Sequence, residues 1–101
     1  MIPPLQAIRL RSIVRYHQDR REKEEGTRPQ PEALKELALE KDEAMIQEFE
    51  DQEDSLKDRL MKTGDWGTET GIQKFNLGRM EIWQEVVSDY LPMTFDQSAE
   101  D

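Results

Sequence analysis

The spacing of apolar positions divides the chain into three stretches of helical period separated by two breaks. The longest stretch covers residues 31–62. At 100° per residue, Leu34, Leu37, Ala38, Ala44, Met45, Phe49, Leu56 and Leu60 fall within an arc of about 160°, with Leu39, Ile46 and Met61 widening one side. Pro31 suits the first helical position, and Glu32 suits the positive end of the helix dipole. A continuous helix here is about 48 Å long. Its weak point is residues 50–55, which hold no apolar side chain, because Ser55-Leu56-Lys57-Asp58 resembles a capping box with Asp in place of Glu.

The other two stretches are shorter. After the extended Pro3-Pro4 lead-in, a helix over residues 5–25 carries Leu5, Ile8, Leu10, Ile13, Val14 and Tyr16 in a broad arc. Its second half, residues 17–25, has no apolar side chain and is expected to project into solvent. Gly26 ends it, and the prolines at 29 and 31 enforce an extended linker over 26–31. Three glycines within residues 63–71 make a loop, and a last helix follows over 70–91. There Ile72, Phe75, Trp83, Val86, Val87 and Tyr90 share a face, with Met80 and Ile82 at its edges. Gly78 inside this helix costs about 1 kcal/mol relative to alanine, and Asn76-Leu77-Gly78 offers a hairpin turn as the alternative. The unbroken period favours the helix, and Pro92 stops it. The prediction is an all-α fold, a helical hairpin or small three-helix bundle in one domain over 1–95. Met93, Thr94 and Phe95 are expected to dock, and 96–101 to form a disordered acidic tail.

Composition narrows what such a fold can do. Charged residues make up 37% of the chain and apolar ones 35%; Leu, Ile, Val and Phe together number 21 of 101. That lies barely above the roughly 20% line under which charged chains stay disordered. The core is therefore thin, and completion by a partner or by self-association is expected. Cysteine is absent, which removes disulfides, thiolate zinc sites and cysteine nucleophiles. No segment approaches the roughly 20 apolar residues of a membrane span, and the N-terminus lacks the order of a signal peptide, so a cytoplasmic location is expected. The net charge of −9 is a gradient: +3 over residues 1–28 and −12 over 29–101.

Candidate chemistry is sparse. The acidic patch Glu48, Glu50, Asp51, Glu53 and Asp54 lacks the spacing and central glycine of an EF-hand loop, so it reads as a solvated face or as an imitation of nucleic-acid phosphates. The basic patch Arg9, Arg11, Arg15, Arg20 and Arg21, with Lys23 and Arg28 beyond it, is diluted by Asp19, Glu22, Glu24 and Glu25. Pairing of that helix with the acidic one, within or between subunits, is expected ahead of nucleic-acid binding. His17 is the only histidine, and Lys62-Thr63-Gly64 lacks the order of a P-loop; no catalytic residue, metal or cofactor is expected. Trp83 belongs to the apolar stripe. Trp66, in the glycine-rich loop, either caps the core or anchors a partner.

No family motif is present; short, cysteine-free, acidic helical chains are common among phage-encoded accessory proteins, antitoxins and small assembly factors. The leading expectation is a non-catalytic protein–protein interaction module: an adaptor, assembly factor or inhibitor forming a homo-oligomer or hetero-complex. Its expected apolar contact face is Leu34, Leu37, Met45, Phe49, Leu56, Leu60, Ile72, Phe75, Trp83, Val86 and Tyr90. The rival is an acidic nucleic-acid mimic or antitoxin-like regulator covering a basic site, and the third is weak nucleic-acid binding by the N-terminal helix.

Overall fold

The computed structural model describes residues 2–26 and 29–92. The expectations for residues 93–101, docking of the first three and disorder of the rest, lie outside the described residues, as do Thr27 and Arg28. Three helices follow in order: α1 (Gln6–Glu25), α2 (Pro31–Lys62) and α3 (Glu69–Tyr90). No strand occurs among the described residues, and the fold is an all-α arrangement of three helices.

The helix ends follow from local chemistry. Gly26 adopts the left-handed conformation at φ 68°, and its amide donates to Glu22 O at 3.1 Å, closing α1. Pro31 opens α2 with Glu32 in the first turn, and Arg59 and Lys62 sit in the last turn, complementing the dipole at both ends. At the far end Gly64 N donates to Met61 O (3.2 Å) and Asp65 N to Leu60 O (3.0 Å), the paired bonds of a Schellman motif. Thr68 then caps α3: its Oγ1 accepts from Gly71 N at 2.9 Å and donates to Asp65 O at 2.6 Å. A methyl group at position 71 would lie 1.8 Å from the Asp65 carbonyl oxygen, so the turn admits only glycine there.

Both doubtful points resolve as continuous helix. Residues 50–55 stay within α2, and Ser55 Oγ donates to Asp51 O at 3.2 Å, one turn back, instead of capping a new helix. Gly78 stays within α3, where a Cβ would come 2.5 Å from Leu56 Cδ2; its missing side chain lets α3 approach α2.

α2 is the axis. α1 lies antiparallel to its first half, with Arg9 reaching Asp42 and Val14 sharing a crevice with Leu34. α3 lies antiparallel to its second half, with Trp83 edge-on to Phe49 at 5.7 Å and Gly78 against Leu56. α1 and α3 both pack on α2 and barely touch each other. The result is long and flat, 54 × 30 × 18 Å. Its core joins Ile13 and Tyr16 of α1 to Ala38, Met45, Phe49, Leu56 and Leu60 of α2, Ile82 and Val86 of α3, and Leu91. Ile13, Met45 and Val86 are the largest fully enclosed side chains, each worth about 1.5–3 kcal/mol for its burial.

Two arginines tie the layers together. Arg9 forks onto Asp42, Nε to Oδ1 at 2.6 Å and Nη2 to Oδ2 at 3.0 Å, while its Nη1 donates to Pro4 O at 2.6 Å. Arg79 donates from Nε to Glu53 and from Nη2 to Ile2 O at 3.0 Å, and its guanidinium lies 5.5 Å from the Phe75 ring centre. The lead-in before α1 is thereby held against the middle of α3.

Candidate interaction surfaces

The apolar stripe expected to meet a partner is largely the interior of the chain itself. Leu34, Met45, Phe49, Leu56, Leu60 and Val86 are buried, and Leu37, Phe75, Trp83 and Tyr90 are half-buried. Of that set Ile72 alone is exposed, at 56%. The physical reason is that α2 is flanked on both sides, so its broad arc is covered by α1 and α3 in succession. Trp66 is intermediate between its two expected roles. Its ring meets Phe75 edge-on at 5.2 Å and Lys57 Nζ at 5.1 Å, yet the residue remains 40% exposed.

The acidic patch does not act as one surface. Glu53 turns inward to Arg79, and Glu48 turns towards Tyr90, whose phenol is pushed above its usual range by burial and then by Glu48. Glu50, Asp51 and Asp54 face outward, with Asp51 accepting from Gln47 Nε2 at 3.0 Å. On that outward side they join carboxylates that a search for a contiguous run misses. Glu32, Glu36, Glu40, Glu43, Glu50, Asp54 and Asp58 recur in steps of three, four or seven, and all are exposed. They form a stripe about 39 Å long on α2, directed away from the core. Periodicity of charge, instead of its local density, is the signal that reveals it.

The basic patch also divides. Arg9 is drawn into the α1–α2 interface by Asp42, so the expected pairing of the two helices within the chain rests on this one arginine of the patch. Arg11, Arg15, Arg20 and Arg21 are exposed; Arg20 Nε donates to Glu24 Oε1 at 3.1 Å. Ile8, Arg11, Ser12, Arg15, Asp19 and Lys23 follow one another along one face of α1, with Tyr16, Arg20 and Glu24 on its flank and Pro92 beside them. A hollow of about 760 Å³ runs along it.

His17 sits where α1 meets α2. Its ring is edge-on to Tyr16 at 4.9 Å, and Nε2 is buried with no hydrogen-bond partner among the described residues. Burial, then Lys41 of α2, then Arg20 and Arg21, hold its pKa below the ordinary 6.5. Among the described residues no group of three or more His, Asp or Glu side chains is placed to hold a metal ion. No helix among them is long and apolar enough to cross a membrane.

Comparison with known proteins gives no match: no family model, no curated protein and no solved structure is significantly similar to this chain.

Proposed function

We propose that this chain is a non-catalytic protein–protein interaction module, an adaptor, assembly factor or inhibitor, that offers the outward face of α1 to its partner. One observation carries this reading. α1 has two dressed sides: Ile13, Tyr16 and Arg9 engage α2, while Ile8, Arg11, Arg15 and Lys23 line a hollow that, among the described residues, only Pro92 borders from outside α1. Arginine is enriched at protein interfaces, and Ile8 offers an apolar contact beside Arg11 and Arg15. The single histidine and the absence of cysteine support a non-catalytic role, and a cysteine-free chain suits a cytoplasmic one.

A second reading is favoured by the outward stripe of α2. Seven exposed carboxylates at helical spacing, interrupted by Lys57 at one edge, would suit a regulator that covers a basic, nucleic-acid-binding site on its target. One experiment separates the two. A photo-crosslinking residue is placed at Ser12, on the α1 face, or at Glu43, on the α2 stripe, and crosslinked proteins from the native host are identified. Capture at position 12 supports the first reading; capture at position 43 alone supports the second. No specific adduct at either position removes both.

A further inference from the structure

We propose that the outward face of α1 docks an acidic amphipathic helix of another protein. This deepens the reading of α1 as the partner-binding face and rests on it. The template lies within the molecule. On its inward side α1 already binds an acidic helix, burying Ile13 and Tyr16 while Arg9 forks onto the Asp42 carboxylate. On its outward side the same ingredients recur without a counterpart: Ile8 is 49% exposed, and Arg11, Arg15 and Lys23 have no ion-pair or hydrogen-bond partner among the described residues.

The spacing specifies the occupant. Arg11 and Arg15 are one turn apart, about 6 Å along the axis, and Lys23 lies about 12 Å further on. A helix laid antiparallel on α1 presents carboxylates at the same rise if they sit eight and then four residues apart, with an aliphatic side chain one turn further on for Ile8. Arginine forks on carboxylates are the directional element, and the apolar contact excludes water from them.

The same face disfavours a nucleic acid. Asp19 lies between Arg15 and Lys23, and Glu24 already occupies Arg20, so a continuous row of phosphates would meet carboxylates as well as cations. A peptide helix can set an uncharged or donor residue opposite Asp19. Two copies of a chain with net charge −9 repel each other, which disfavours a second copy as the occupant.

The test is fluorescence anisotropy with the full-length chain and a labelled synthetic helix carrying glutamates at those spacings and two leucines. Saturable binding in the micromolar range is expected at about 50 mM salt, weakening about tenfold by about 300 mM. R11E/R15E should weaken it at least as much, and Ile8→Ser severalfold, whereas Glu81→Gln, exposed on α3, should leave it unchanged. Arg11 and Arg15 are exposed and pair with none of the described residues, so melts by circular dichroism should match the parent; R11Q/R15Q replaces the reversal if they do not. The proposal is overturned by absence of saturation at low salt, by equal binding of a glutamine version of the peptide, or by an unchanged R11E/R15E affinity. Displacement by single-stranded DNA of equal charge at equal concentration would make the occupant a nucleic acid and also overturn it. A salt-sensitive dimer of the chain alone, lost in R11E/R15E, would make it a second copy, with the same consequence. If the peptide fails while crosslinking from position 12 still captures a protein, only the acidic-helix assignment falls.

Discussion

Arg9 of α1 and Asp42 of α2 form a two-pronged ion pair whose side chains are only 13% and 4% exposed. Among the described residues, Asp42 is the one charged residue that is buried. Asp42 shares its face of α2 with the buried Ala38 and Met45, about one turn away on either side, and is itself only 3% exposed, so an unpaired charge there would be poorly solvated.

Breaking this pair from one side is therefore costly. Asp42→Ala should lower stability by about 3 kcal/mol, because Arg9 is left enclosed and unmatched. Replacing both partners by apolar residues of similar volume, R9M/D42L, should recover most of that loss. Urea unfolding followed by circular dichroism measures both. A loss under about 1 kcal/mol for the single variant would show that Arg9 finds water or another acceptor.

The two helical glycines of α3 should respond differently to alanine. At position 71 the added methyl meets a backbone carbonyl at 1.8 Å, and the Thr68 cap must distort to admit it. At position 78 it meets the end of the Leu56 side chain, which can rotate. G71A should cost about 2–3 kcal/mol, whereas G78A should stay within about 1 kcal/mol of the parent because helix propensity offsets the crowding. Thermal melts of the two variants give the order directly, and the reverse order would refute the assignment of the clash.

The helices and their boundaries were legible because their signals are local. Proline at 31, glycines at 26 and 64, and the period of apolar residues each act within a turn or two. What was illegible depended on distant partners. The continuity of α2 across residues 50–55 is supported by Arg79, 26 residues beyond Glu53. The meaning of Gly78 depends on Leu56, so propensity alone recorded it only as a cost. The apolar face of α2 and α3 was legible as a face, but periodicity is blind to whether the chain or a partner covers it. The arginines show the same limit: nothing within α1 distinguishes Arg9, which is buried against Asp42, from Arg11 two residues later, which is not.

His17 makes stability depend on pH in a defined direction. Its pKa in the folded chain lies below the ordinary 6.5, through burial first and then the cations Lys41, Arg20 and Arg21. The unfolded chain therefore binds the proton more readily, and stability rises with pH between the folded value and 6.5. This contribution is complete above pH 6.5 and is lost as pH falls through the folded value. The expected outcome is a lower urea midpoint at mildly acidic pH than at pH 7.5, with the difference reduced in His17→Gln. An identical pH profile for the variant would assign the acid sensitivity to carboxylates instead.

The outward stripe of α2 carries a stability penalty that can be removed. Glu36 and Glu40, Glu40 and Glu43, Glu50 and Asp54, and Asp54 and Asp58 are like charges one turn apart, each pair costing about 0.2–0.5 kcal/mol. Glu40→Lys and Asp54→Lys each convert two repulsive neighbours into attractive ones, so each should stabilise the fold by about 0.8–2 kcal/mol. Added salt should raise the melting temperature of the parent chain and raise that of the doubly substituted chain less, since screening relieves only the repulsion that remains. Retaining such a stripe against its own stability is what a binding surface for a basic target would require. The two substitutions should then abolish crosslinking from position 43 while leaving crosslinking from position 12 intact. If they stabilise the chain and capture from position 43 persists, the carboxylates are not what holds the partner there, and the reading of the stripe as a charge-matched surface falls.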